Sequence, residues 1–273
     1  MADIVGPLAR VLQPDQPRPS ANALLTLRRC ALVKRAGSWE IDKERLLAAA
    51  VRDGLGQGDG GDDTLLAAVR QRRIAALASL TTSGVAVTAL RLVPEPFVVT
   101  GVGEESLTEV GLTLHGTYGW PAVRGSTLKG VAHAYARQTD APDRTEIFGT
   151  AGGDDQGDAH RDDPGKQGGV LFLDAVPYRP LPVRQHVMTP HLREYYEPGS
   201  ADRAVPAEYH NPAPVPFLAI EGDDDGGLLV TLAGPAELVA RAATLLRAAV
   251  QEIGLGAKTS AGYGYLRAEE VPL

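Results

Sequence analysis

Thirteen residues near the C-terminus, GLGAKTSAGYGYL (254–266), bring four glycines, one lysine, two hydroxyls and two tyrosines together. Such a stretch offers backbone N–H groups, hydroxyl donors, a cation and stacking rings at once, the ingredients for holding a single-stranded nucleic-acid backbone. The candidates are Gly254, Gly256, Lys258, Thr259, Ser260, Gly262 and Tyr263. A second reading stays open: Gly254 and Gly256 supply the positive φ of a helix C-cap and a tight turn. It leaves Gly262 and Gly264 unexplained, because glycine at a strand start marks close approach by another backbone or a ligand. A nucleotide P-loop does not fit. That motif needs G-x-x-x-x-G-K-[ST] ahead of the helix it opens. Here Glu252 stands at the first glycine position, Ala257 precedes the lysine, and the stretch follows its helix.

The second constellation is WPAVRGSTLKG (120–130). Gly125, Ser126 and Thr127 open a helix, so unpaired N–H groups, two hydroxyls, Arg124 and Lys129 converge where an anion is favoured. The plain alternative is an ordinary N-cap, Ser126 or Thr127, with solvated basic neighbours.

Catalysis would need other groups. RNA cleavage without metal takes a general base near a 2′-hydroxyl, usually histidine, and a second group for the leaving oxygen. Of six histidines, His133 falls one turn beyond Lys129 on the same expected helix, and His191 lies in TPHLREYY. Each reads more simply as a packed or hydrogen-bonded structural histidine. The stretch GDDQGDAHRDD (153–163) is rich in carboxylates but lacks an EF-hand frame, so a solvated acidic loop is expected. Asp174 follows an apolar strand and reads as a structural or RNA-positioning group. No catalytic residue, metal or cofactor is expected.

The elements that position these groups follow from periodicity. Apolar residues at helical spacing predict helices over 41–53 and 64–80, the second with Leu65, Leu66, Val69 and Leu77 on one face. Its Arg70, Arg72 and Arg73 then read as a solvated face. VAVTALRLV (85–93) alternates as a strand. A helix from Ser126 to Arg137 carries Leu128, Val131, Ala132 and Tyr135 inward, and further strands are expected at 168–178, 215–222 and 228–234. The last two flank an acidic turn and predict a hairpin. PAELVARAATLLRAAVQEIG (235–254) has the clearest apolar stripe, with Pro235 in its first turn, and a strand follows at 263–271. Residues 1–35, rich in Pro and Arg and without a period, predict an extended arm. The order from 85 onward is the split βαβ pattern of a ferredoxin-like, RRM-type βαββαβ core. The expected organisation is an N-terminal arm and helical part over 1–83 and an α+β domain over 84–273, with inserted loops at about 139–215.

Of 273 residues, 44% are hydrophobic and 22% charged, ordinary globular values. A net charge of −7 argues against a free-standing nucleic-acid binder. The charge is uneven, however: residues 1–85 hold 12 Lys and Arg against 9 Asp and Glu, and eight acids of the remainder sit in two short loops. The single Cys30 allows no internal disulfide. Neither a membrane-spanning run nor a secretory start is visible, so a cytoplasmic setting is expected.

VRGSTLKGVAHAYAR resembles the P-G-S-S-[LI]-K-G helix start of the RAMP superfamily of CRISPR proteins, and GLGAKTSAGYGYL resembles its C-terminal glycine-rich loop. Between them IFG (147–149), GGVLFLDAVP (168–177) and VMTPHLREYY (187–196) are similar to the pattern of the sixth RAMP subunit of type III-B Cmr complexes. The resemblance covers roughly 85–268. It implies a non-catalytic subunit that binds guide crRNA, caps the 3′ end of the effector filament, and sits beside the backbone subunits and the first RAMP subunit, the assembly capturing complementary target RNA. Carried over by position, the guide-contacting residues are Arg124, Gly125, Ser126, Thr127 and Lys129, with Lys258, Thr259, Ser260, Gly262 and Tyr263. Arg124 departs from the family's proline. The rival implied by the same resemblance is a RAMP-type metal-independent endoribonuclease that processes guide RNA.

Overall fold

The computed structural model describes residues 3–5, 22–29, 31–34, 40–54, 63–104, 106–108, 110–150, 165–190, 212 and 214–272. Their elements are, in chain order, β1 (Asp3–Val5), α1 (Ala23–Arg29), β2 (Ala31–Val33), α2 (Lys43–Gly54), α3 (Asp63–Thr82), β3 (Ala86–Pro94) and β4 (Phe97–Val98). Next come α4 (Gly125–Gln138), α5 (Arg144–Phe148), β5 (Gly149–Thr150), β6 (Lys166–Gln167), β7 (Leu171–Phe172), β8 (Val176–Pro177) and β9 (Val183–Met188). β10 (Val215–Glu221), β11 (Leu228–Gly234), α6 (Ala236–Glu252) and β12 (Leu266–Val271) complete the chain. The expected acidic loop at 153–163, His191 and most of VMTPHLREYY lie outside the described residues.

The largest sheet runs β12–β3–β11–β7, all neighbours antiparallel, with β8 also paired to β11. β3 lies between two partners, and Ala89, Leu90, Leu92 and Val93 are all buried, so both of its faces are covered. The strand expected at 168–178 is broken. At Asp174 the chain turns from β11 towards residue 123: Ala175 donates to the Val123 carbonyl (2.7 Å) and accepts in return (3.1 Å), separating β7 from β8. α4 and α6 pack together against the sheet. Leu128, Ala132 and Ala136 of α4, spaced by one turn, meet the stripe Val239, Ala242, Leu246 and Val250 of α6. Pro235 stands at the N-cap of α6 rather than within its first turn.

The expected hairpin of 215–222 with 228–234 does not form. β10 pairs with β9 and β4 in a separate three-stranded sheet, while β11 joins β3. Five consecutive residues of β10, Pro216 to Ile220, are buried, so it is a strand covered on both faces and needs partners of its own. The crossing happens at Gly222, whose N–H donates to Pro96 (2.7 Å) and where a Cβ would stand 2.0 Å from the Pro94 carbonyl oxygen.

The described parts of the segment expected as an extended arm are two short strands and a helix. α1 follows Asn22, whose side-chain oxygen accepts from the Leu24 N–H (3.0 Å) as a cap. β1 pairs with β2. Ala23, Leu27, Leu32, Leu46, Leu47 and Ala50 belong to the same apolar cluster as Leu90, Leu128 and Leu246. Proline and arginine on either side hide a seven-residue helix too short to show a period. In α3, Leu66 and Leu77 are buried, whereas Leu65 is exposed rather than inward-facing.

Candidate nucleic-acid interface

The start of α4 is held by packing as much as by capping. Gly125 lies against the β7 edge, where a Cβ would meet the Phe172 carbonyl oxygen at 2.0 Å. No larger residue fits. The cap comes from a distance: the N-cap position is Arg124, its side chain makes no cap bond, and the Gly125 N–H donates to Asp174 Oδ1 (2.7 Å). This replaces the expected Ser126 or Thr127 cap, and it follows from the break in the 171–177 strand, which presents Asp174 to the helix. A carboxylate therefore occupies part of the positive end of the helix. Ser126 and Thr127 are left exposed, and Lys129 is half-buried.

Arg124 is exposed but not alone. Its guanidinium pairs with Glu104 (2.9 Å), which also binds Arg28 (2.9 Å) and accepts from the Thr113 hydroxyl (3.0 Å). Nothing in the sequence around Glu104 distinguishes it, because its partners are 76 and 20 positions away.

The glycine-rich loop is built by its own backbone. Gly254 (φ 78°) closes α6, its N–H donating to Ala249 (3.1 Å), as the C-cap reading expects. Leu255 and Gly264 then face each other: the Leu255 N–H donates to Gly264 (2.6 Å), and a Cβ on Gly264 would lie 2.3 Å from the Leu255 carbonyl oxygen. Gly256 approaches the Val99 carbonyl in the same way, at 2.3 Å. Thus the close approach permitted at Gly256 and Gly264 is by the chain itself. Gly262 differs. A Cβ there would have nothing within 4 Å, and the residue is exposed together with Ser260.

Lys258 adopts the left-handed conformation (φ 63°), and its carbonyl accepts from Ala261 (2.9 Å) and Tyr263 (3.2 Å). Its ammonium lies 4.9 Å from the centre of the Phe217 ring and donates to Met188 Sδ (2.7 Å). Thr259 is half-buried at the start of the 3₁₀ turn Thr259–Ala261. Tyr263 is packed among Phe97, Phe217 and His186 and hydrogen-bonded to His186 Nδ1 (2.8 Å), so its ring is committed to the protein rather than free for stacking. This aromatic group sits on the three-stranded sheet.

Segment 99–104 joins the two bends. The Ala257 N–H donates to Val99 (2.8 Å), the Thr100 hydroxyl reaches the Ala122 carbonyl (3.5 Å), and Glu104 holds Arg124. Both bends are thus attached to one short stretch of chain. Outside them, Arg70 and Arg73 are half-buried rather than fully solvated. Burial pushes the Arg73 pKa down, and the Asp174 charge partly opposes the shift.

His186 offers a pH readout. Burial lowers its pKa below the ordinary 6.5, against a smaller raising effect from Glu221. The unfolded chain therefore binds this proton first as pH falls, and stability is lost from about pH 6.5 downward until the folded ring titrates too. The expected result is a falling denaturant midpoint between neutral pH and about pH 5, flattened in His186→Gln; parallel profiles for both proteins would contradict the assignment. His133 packs its ring 5.1 Å from Phe148. Among the described residues no group of three or more His, Cys, Asp or Glu could hold a metal ion, and no helix is long and apolar enough to cross a membrane.

An antiparallel α+β architecture with a glycine-rich loop after its last helix agrees with the family comparison: the RAMP superfamily pattern matches residues 93–267, and the chain belongs to that superfamily. Over 108 residues it is 35% identical to the CRISPR system Cmr subunit Cmr6 of Pyrococcus furiosus, a match spanning 37% of this chain and 31% of that protein. The aligned part is less than a third of that relative's length. Among solved structures, a chain of the type III-B Cmr-beta complex bound to cognate target RNA superposes with a TM-score of 0.60 at 19% identity, covering 84% of this chain and 71% of the other. The crystal structure of Cmr6 from Pyrococcus furiosus gives a TM-score of 0.38 at 22% identity, covering 68% of this chain and 98% of that one.

Proposed function

We propose that this chain is a non-catalytic subunit of a type III-B CRISPR (Cmr) effector complex, of the Cmr6 kind, that binds the sugar-phosphate backbone of guide RNA near its 3′ end. In this reading it caps the filament beside other RAMP subunits, one of them the first RAMP subunit, and the assembly captures complementary target RNA in the cytoplasm. A ferredoxin-like core is part of this reading and is supported by the strand order: with β3, β7 with β8, β11 and β12 as strands one to four, the order is 4-1-3-2 and α4 and α6 are the crossovers. In this reading the domain runs over 84–273, and described residues of the N-terminal part, Leu27, Leu46 and Leu47 among them, join its apolar core.

The observation that carries the reading is the attachment of both bends to segment 99–104. It lets Arg124, Ser126 and Thr127 act with Lys258, Thr259, Ser260 and Gly262 on one strand of RNA. Tyr263 supports the glycine-rich loop, Gly254 and Gly256 shape it, and Gly125 shapes the start of α4. Photocrosslinking in a co-expressed complex, mapped to residue and nucleotide, tests this directly. Crosslinks from 126–129 and 258–262 to the 3′ portion of the guide are expected. Crosslinks confined to other faces, or metal-free cutting of guide precursor that disappears in His133→Ala, would reject it.

A further inference from the structure

Seven described arginines, Arg28, Arg91, Arg124, Arg184, Arg241, Arg247 and Arg267, each form an ion pair with a carboxylate. The three on α3 do not, among the described residues. Arg70 donates to the Tyr178 carbonyl (3.1 Å) and lies 4.9 Å from the centre of its ring, Arg72 donates to the Tyr118 hydroxyl (2.9 Å), and Arg73 donates to the Asp174 carbonyl (2.9 Å). Neutral acceptors fix the positions of the guanidinium groups without forming an ion pair, although Arg73 feels the nearby Asp174 charge through space. Arg73 carries this furthest, since its Nε and Nη2 are buried with no acceptor. Burying charged donors without acceptors is costly, and the Asp174 charge offsets only part of it.

The three arginines line one cavity of about 270 Å³ together with Leu66, Val69 and His115, near the small end of the range for small-ligand sites. Apolar walls lower the local dielectric and strengthen the field of the three charges inside. One side of the cavity is aromatic. His115 and Tyr118 line it, and Trp120 extends the column, with ring centres 4.8 Å and 4.5 Å apart. The backbone N–H groups of Thr117 (3.2 Å) and Tyr118 (3.4 Å) donate to His115 Nδ1, so Nε2 carries the ring proton and is a donor. Tyr118 has ring contacts with both His115 and Trp120, and His115, which lines the cavity, is half-buried rather than enclosed.

We propose that this cavity binds a nucleoside phosphate, with the phosphate held by Arg70 and Arg72, Arg73 supplying charge from the wall, and the base lying on the His115 end of the aromatic column. A carboxylate side chain would use the arginines but not the column; a nucleotide uses both. The site is separate from the two bends and lies across Asp174 from the start of α4. Its nucleotide comes either free or as one unit of an RNA strand.

The test is calorimetric titration of the full chain with AMP, a five-residue oligoadenylate, adenosine and sodium phosphate. Running it in the Arg124→Ala, Lys258→Ala background keeps the result independent of the guide-binding proposal. AMP should bind more tightly than either adenosine or phosphate, and Arg70→Ala with Arg72→Ala should weaken it at least tenfold, whereas Arg241→Ala should not. Binding of the oligoadenylate but not AMP, with the same loss in the double variant, assigns the nucleotide to an RNA strand and also supports the site. If the double variant fails to fold, Arg72→Glu alone, on an exposed side chain, should produce the loss. Phosphate binding as tightly as AMP, an acidic peptide displacing AMP, absence of binding by both AMP and oligoadenylate, or affinities unchanged by the arginine variants would each overturn the proposal.

Discussion

Gly264→Ala is expected to destabilise the protein by about 3 kcal/mol or more, the combined cost of two faults. The residue has φ 84°, a conformation that an L side chain adopts with strain, and the added Cβ would stand 2.3 Å from the Leu255 carbonyl oxygen. That oxygen belongs to the backbone and cannot swing aside as a side chain would. Gly262→Ala provides the comparison: φ is 86°, but nothing lies within 4 Å of the new atom, so only the conformational cost of about 1 kcal/mol remains. Denaturant unfolding of the two variants should show a clear gap in midpoint. Equal losses would mean that the backbone contact between Leu255 and Gly264 does not hold the loop.

The second large effect concerns RNA. Removing Arg124 and Lys258 together should weaken guide binding by on the order of tenfold for each charge, with little dependence on sequence, because phosphate contacts are sequence-tolerant. The slope of log affinity against log salt should become shallower by about 1.4, roughly 0.7 for each phosphate contact to a single strand. On the proposed reading Arg124 would give up Glu104, and Lys258 would leave Met188 and the Phe217 ring, to reach a phosphate, so each contact would start from an existing partner. Filter binding or anisotropy at several salt concentrations measures both quantities. An unchanged slope would show that neither side chain neutralises a phosphate.

Much of the scaffold could be read from periodicity, because its elements are long and their burial is one-sided. α6 is the clearest case: the stripe from Val239 to Val250 is the face that packs. What escaped had causes beyond any local window. β10 is buried on both faces, so its apolar run carries no sign of which strand it joins, and adjacency suggested β11 wrongly. α1 is a single short helix recognisable only by Ala23 and Leu27, and those look ordinary until the core they enter is known.

Of the candidate site, only the positions of the two bends could be read. Glycines and hydroxyls marked both bends, but the partners that restrain them were invisible: Asp174 at the helix start, Glu104 on Arg124, and the aromatic setting around Tyr263. Each is a long-range pairing between residues that say nothing alone. The α3 arginines illustrate the reverse error. Charge on a helix ordinarily faces water, and only the tertiary setting reveals that these side chains turn back over Tyr118, Tyr178 and Asp174.

Glu104 is a single acid divided between two bases, one on α1 and one at the mouth of α4. Any anion that draws Arg124 away leaves the whole carboxylate to Arg28 and so tightens the grip on the first helix. By thermodynamic reciprocity, whatever fastens that helix makes Arg124 easier to recruit. On the proposed reading, the first helix is therefore coupled through Glu104 to whatever anion Arg124 would bind.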